Sequence, residues 1–301
     1  MKTGTDTPLE ATTKSIWTDF AQLTKMRLAF SVVFSSFAGY LLAAEGLDTK
    51  IIALLVVGGY AMVGASNAFN QIIETDLDAI MQRTRNRPLP TARVSKQQAF
   101  WLATVLSVVG IYSLYLINFK TAFFGGLSLF IYVALYTPLK TKTPLAVFVG
   151  AFPGAIPYML GWVAATGQFG IEPGILFMVQ FFWQFPHFWA IGWQLDADYR
   201  KAGFRMLPSG SPDRVTAFQI VFYTLWTILI SLMPYTHYTG ALSLSAIGAT
   251  TTFITGLGLL FFSLRLMYQK TNAAARMLTF ASIGYITLVQ LIYLFDKFLM
   301  Q

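Results

Sequence analysis

Nine apolar runs recur along this chain, centred near residues 27–44, 51–70, 98–117, 121–137, 144–166, 173–194, 214–235, 241–264 and 277–296. A run of about 20 apolar residues is long enough, as a helix, to cross the hydrocarbon of a bilayer. Backbone groups in that layer must be satisfied within the segment itself, so the runs predict helices and exclude open sheets. Of 301 residues, 55% are hydrophobic and 11% charged, and the mean hydropathy is +0.58, which leaves no room for a large soluble domain. The breaks between runs are short. The expected architecture is therefore an all-α integral membrane protein, with residues 26–301 forming one compact bundle of nine transmembrane helices after an N-terminal tail, residues 1–25.

A formal net charge of +8 is compatible with nucleic-acid binding, but the distribution of the basic residues argues for a membrane instead. With the N-terminus placed in the cytoplasm, 18 of the 21 Lys and Arg residues fall on the cytoplasmic side, and Lys50, Lys120 and Lys297 fall outside. That asymmetry follows the positive-inside rule and predicts a cytoplasmic N-terminus and an outside C-terminus. The first 25 residues contain Asp6, Glu10 and Asp19 and no apolar core, so they match neither a cleaved signal nor an Arg-rich transit peptide; a bacterial plasma membrane is the expected location. The chain has no cysteine, which removes disulfides and thiolate metal sites.

Carboxylates at bilayer depth are costly and mark functional sites. Asn67, Asn70, Glu74 and Asp78 of the second run fall within an arc of roughly 80° on a helical wheel, and the basic loop Arg83-Thr84-Arg85-Asn86-Arg87-Pro88-Leu89-Pro90 follows them. Four runs later, Gln180, Gln184, His187 and Asp198 share roughly 60° if the helix continues, and Arg200, Lys201 and Arg205 follow. The recurrence reads as a weak parallel internal repeat with a site at its interface. Lys140 and Lys142 form a third basic loop, and Gly150, Pro153, Gly154 and Pro157 are expected to interrupt the fifth helix as a pocket wall.

Carboxylates and amides beside a cluster of Arg and Lys suit Mg²⁺ bridging to a phosphate group, since hard oxygen ligands select a hard cation. At the edge of an apolar bundle the corresponding substrate is a lipid diphosphate, and departure of the diphosphate would be stabilised electrostatically. A transporter whose polar stripes line a pathway is the reading from another class. Both stripes run toward the same side, however, and the last three runs offer no ionisable path to the other.

Asn70, Glu74 and Asp78 with Arg83, Arg87, Pro88 and Leu89 resemble the first acidic motif of the intramembrane aromatic prenyltransferase superfamily. Pro186-His187-Phe188-Trp189-Ala190 and Asp198-Tyr199-Arg200, with Met206-Leu207-Pro208, resemble more narrowly the haem-farnesylating family within it, the protohaem IX farnesyltransferases. The resemblance implies transfer of a farnesyl group from farnesyl diphosphate to haem B, giving haem O, with Mg²⁺ as cofactor and haem A synthase or oxidase assembly factors as possible partners. It would make Asn70, Glu74, Asp78 and Asp198 the catalytic metal-diphosphate ligands. Arg83, Arg87, Lys140, Lys142, Arg200 and Lys201 would be the diphosphate contacts, and His187 a haem-binding residue. The chain departs from the pattern in carrying Glu74 where Asp is common and in reducing the second acidic motif to Asp196 and Asp198. A quinone precursor or other aromatic acceptor is the alternative within the superfamily.

Overall fold

The computed structural model describes residues 15–299, so most of the expected N-terminal tail lies outside the described residues. Its last part, Ile16–Leu23, is a helix, α1. The helices that follow are α2 (Met26–Ala43), α3 (Thr49–Ile73), α4 (Thr75–Ile80), α5 (Lys96–Tyr115), α6 (Phe119–Leu139), α7 (Ala146–Thr166) and α8 (Ile171–Gln194). After them come α9 (Asp196–Lys201), α10 (Arg214–Ser231), α11 (Ala246–Gln269) and α12 (Asn272–Leu299). No strand is present among the described residues. Eight of these helices are long and apolar enough to cross a membrane. The other long one, α8, has 24 residues but is diluted by Gln180, Gln184, His187 and its tryptophans.

Helix association in lipid cannot rely on hydrophobic exclusion from water, so it depends on close packing. Gly39 of α2 and Gly161 of α7 supply that closeness: a Cβ on Gly39 would lie 2.0 Å from the Tyr158 carbonyl oxygen, and one on Gly161 would lie 1.8 Å from that of Ser36. Pro153 and Pro157 do not interrupt α7, contrary to the sequence expectation; the helix runs unbroken through both. Pro157 has no N–H to offer the Pro153 carbonyl. The Ser128 hydroxyl of α6 donates to that carbonyl at 3.2 Å, so the orphaned acceptor is satisfied by a neighbouring helix.

Loops gather at two ends. At one, Asp19 of α1 pairs with Arg93 at 3.0 Å, and the Arg205 N–H donates to the Lys140 carbonyl at 2.7 Å. At the other, Lys297 of α12 donates to the carbonyls of Leu41, Leu42 and Ala44, which caps the C-terminus of α2 and joins the last long helix to the first. Outward faces carry Phe30, Trp101, Tyr112, Phe222 and Phe261, all exposed, as a surface meant for lipid rather than water.

Candidate active site

Both polar stripes end in the same local geometry. Helix α3 stops at Ile73, Glu74 adopts φ −93° and ψ 10°, and the six-residue α4 carries Asp78. Helix α8 stops at Gln194, Leu195 adopts φ −101° and ψ 8°, and the six-residue α9 carries Asp198. The parallel repeat inferred from sequence thus extends to backbone conformation. The breaks also mean that Asp198 does not continue the His187 face as one helix, which the angular reading assumed.

The first motif is buried and paired. Asn70 is 1% exposed and its amide donates to Thr137 Oγ1 at 3.2 Å. Thr137 in turn donates to the Tyr132 carbonyl, within a π-helical stretch of α6, Ile131–Tyr136, which carries Tyr132 and Tyr136 toward the site. Glu74 lies 2.8 Å from Lys140 Nζ, and that ammonium sits 4.6 Å from the centre of the Tyr136 ring. Asp78 is fully buried; its Oδ2 accepts from Arg87 Nη1 at 2.7 Å, while its Oδ1 and the Oδ1 of Asn67 are buried without a partner. The 81–95 loop is drawn tight around these acids: Thr84 Oγ1 donates to the Asp78 carbonyl, and Arg93 reaches the Asn86 carbonyl as well as Asp19.

The second motif is tied to the first. Asp198 Oδ1 accepts the Gln82 N–H at 2.9 Å and Oδ2 accepts the Arg83 N–H at 3.2 Å, with Lys201 Nζ 3.9 Å away. Desolvation opposes the charge on Asp198, but the two backbone N–H groups, with the Lys201 and Arg83 cations, outweigh it and hold the carboxyl below its usual range. Asp196 pairs with Arg200 at 2.8 Å.

Of the residues expected from sequence, Asn70, Glu74, Asp78, Arg87 and Lys140 converge in the interior, whereas Arg83, Lys142, Arg200 and Lys201 are exposed around them. His187 is buried on α8, with Nδ1 2.7 Å from Ser282 Oγ. No cluster of three or more His, Asp or Glu able to hold a metal ion forms among the described residues. A cavity of about 570 Å³ lies beside the second motif, lined by Asp196, Tyr199, Arg200, Phe204, Arg205 and Met206 among others.

Lys25 is the residue that sequence reasoning missed. It sits at the N-cap of α2 in the left-handed region, φ +47°, a costly conformation for a residue with a Cβ. Burial, with repulsion from Arg87, Lys140 and Arg83 partly offset by Glu74, lowers its ammonium pKa to about 7. A lysine so close to neutrality near Glu74, which Lys140 already pairs, leaves the site with capacity for further negative charge.

Among the described residues, an all-helical bundle in which two acid-tipped polar helices meet at one end defines an intramembrane prenyltransferase fold. Residues 32–284 match the UbiA prenyltransferase family, and the chain belongs to that family. It is 61% identical to a protein of Christiangramia forsetii named protoheme IX farnesyltransferase, over 95% of this chain and 96% of that one. A protein of the same name from Flavobacterium psychrophilum is 55% identical over 95% and 96% of the two chains. In fold the chain resembles a UbiA homologue from Archaeoglobus fulgidus bound to DMAPP and Mg²⁺, with TM-score 0.68 and 11% identity over 91% of this chain and 99% of that one.

Proposed function

We propose that this chain transfers a farnesyl group from farnesyl diphosphate to the 2-vinyl group of haem B, yielding haem O and diphosphate, with water supplying the hydroxyl. The observation that carries this reading is the buried first motif, where Lys25, Arg87 and Lys140 surround Glu74 and Asp78 at the end of an apolar bundle. The names and near-complete coverage of the close relatives support haem as the acceptor.

The donor set is all oxygen, and Asp78 Oδ1 and Asn67 Oδ1 are buried with no partner, as suits a hard cation. Asn70, Glu74, Asp78 and Asp198 are the residues proposed to hold Mg²⁺, which when bound supplies positive charge to the departing diphosphate. Arg83, Arg87, Lys140, Lys142, Arg200 and Lys201, with Lys25, would take the remaining phosphate charge. The C1–O bond of the farnesyl chain breaks as diphosphate leaves, the terminal vinyl carbon bonds to the allylic cation, and the cation left on the inner vinyl carbon is captured by water, whose lost proton passes to the departing diphosphate. Tyr132 and Tyr136, rings 5.1 Å apart beside Lys140, place aromatic faces at this depth, where they favour positive charge. Arg205 lines the cavity beside the second motif and is the best placed partner for a haem propionate.

In this reading all nine long helices cross a bacterial plasma membrane with the site facing the cytoplasm, consistent with the 18 basic residues on that side. Haem A synthase or other oxidase assembly factors are the downstream partners that haem O implies. Purified protein given farnesyl diphosphate, Mg²⁺ and either haem B or a quinone precursor separates the acceptors: farnesylation of haem B alone is expected, and farnesylation of the quinone precursor alone would overturn the reading.

A further inference from the structure

Ser282 of α12 joins three groups around His187. Its Oγ lies 2.7 Å from His187 Nδ1 and 2.7 Å from the Thr279 carbonyl, and its own carbonyl accepts from Trp183 Nε1 at 2.6 Å. Trp183 stacks on the imidazole with ring centres 4.8 Å apart and planes 18° from parallel. The imidazole is thus held in its plane by Ser282 and on one face by a tryptophan that Ser282 also anchors.

These contacts select a tautomer. A carbonyl only accepts, so the hydroxyl proton of Ser282 is directed to Thr279, in the back-bond that buried helical serines make. The proton between Nδ1 and Ser282 Oγ must then come from the ring. With the opposite tautomer, Nε2–H would need an acceptor, and no described residue hydrogen-bonds Nε2. In that form the bare Nδ1 would also face the lone pairs of Ser282 Oγ, whose only proton is already given to Thr279. The Nδ1–H form satisfies every group and leaves the Nε2 lone pair free on a residue that keeps 9% of its surface accessible.

We propose that Ser282 is a positioning residue that fixes His187 as the Nδ1–H tautomer, so that Nε2 is presented as an electron-pair donor to the iron of the acceptor. The inference rests on the haem reading above for the identity of the metal. The arrangement is the one metal-bound histidines commonly use, with the far ring nitrogen donating to an oxygen that fixes its orientation and raises its basicity.

The chain has two histidines, which makes the tautomer directly observable. With His237→Gln as background, ¹⁵N-histidine NMR of the full chain in lipid nanodiscs, without haem, is expected to show a protonated Nδ1 and a bare Nε2. Ser282→Thr should retain this pattern and Ser282→Ala should lose it. Haem B titrated into the same proteins should give an imidazole-ligated spectrum in the parent and Ser282→Thr, absent in His187→Ala, with affinity roughly 10- to 100-fold weaker in Ser282→Ala. An Nε2–H signal in the parent overturns the inference whatever haem does. The expected tautomer with no haem binding overturns the haem reading and with it the donor role of Nε2, while Ser282→Ala indistinguishable from the parent overturns the positioning role alone.

Discussion

Asp198 accepts the backbone N–H of Gln82 at 2.9 Å, so the second acidic motif clamps the loop that follows the first. Hydrogen bonds to a charged acceptor contribute about 1.5–3 kcal/mol each. Asp198→Ala removes two of them, and the Arg83–Arg87 segment should lose its fixed position. The expected outcome is a KM for farnesyl diphosphate raised roughly tenfold or more, with the protein still folded. Asp198→Asn keeps one acceptor oxygen and should fall between. Because the folded carboxyl is held below 3.8, the clamp is present above that pH and is lost only as pH falls through the depressed value.

Arg87 and Asp78 form a pair in which the carboxylate is fully buried. Removing the cation alone leaves an uncompensated charge, typically costing about 3–5 kcal/mol. Arg87→Met should therefore lower the unfolding temperature in detergent sharply. Arg87→Met with Asp78→Asn should recover most of that loss and remain inactive, which a thermal melt beside a turnover assay would read.

Lys25 makes binding pH-dependent. Its pKa of about 7 in the free protein must rise when a diphosphate arrives, so binding takes up a proton above neutrality. Affinity for a non-hydrolysable farnesyl diphosphate analogue should fall roughly tenfold per pH unit above 7. Lys25→Arg, charged throughout, should flatten the profile. Calorimetry in buffers of different ionisation enthalpy would count the proton, and an unchanged profile in Lys25→Arg would remove the lysine from the account.

Gly161→Ala places a methyl against the Ser36 carbonyl, with backbone on both sides and no side chain able to yield. Overpacking of this kind costs about 1–3 kcal/mol. A lowered melting temperature is expected, whereas Gly174→Ala, where a Cβ meets nothing within 4 Å, should melt like the parent.

The long helices were legible because a bilayer demands runs of fixed length: the run at 27–44 became Met26–Ala43 and that at 144–166 became Ala146–Thr166. The run at 241–264 was misplaced by five residues at its start, because Ser245 and not the apolar residues before it sets the cap, donating to Asp296 and accepting from Gly248. Glu74 and Asp78 were legible as functional because their type and depth are costly. The breaks at Glu74 and Leu195 carry no Gly or Pro to announce them. Lys25 was invisible for a related reason: only a left-handed turn at the start of α2 turns an ordinary loop lysine toward the site. The Asp198 clamp and the Ser282 contact join residues 116 and 95 positions apart in sequence, and no local pattern encodes such pairings.

The most direct test is chromatography of haem extracted from membranes of cells expressing the chain or its Asp78→Ala variant. Haem O accumulating with the parent and not with the variant is the predicted result. Haem B alone in both, with the parent folded in the membrane, would contradict the assignment of haem as acceptor.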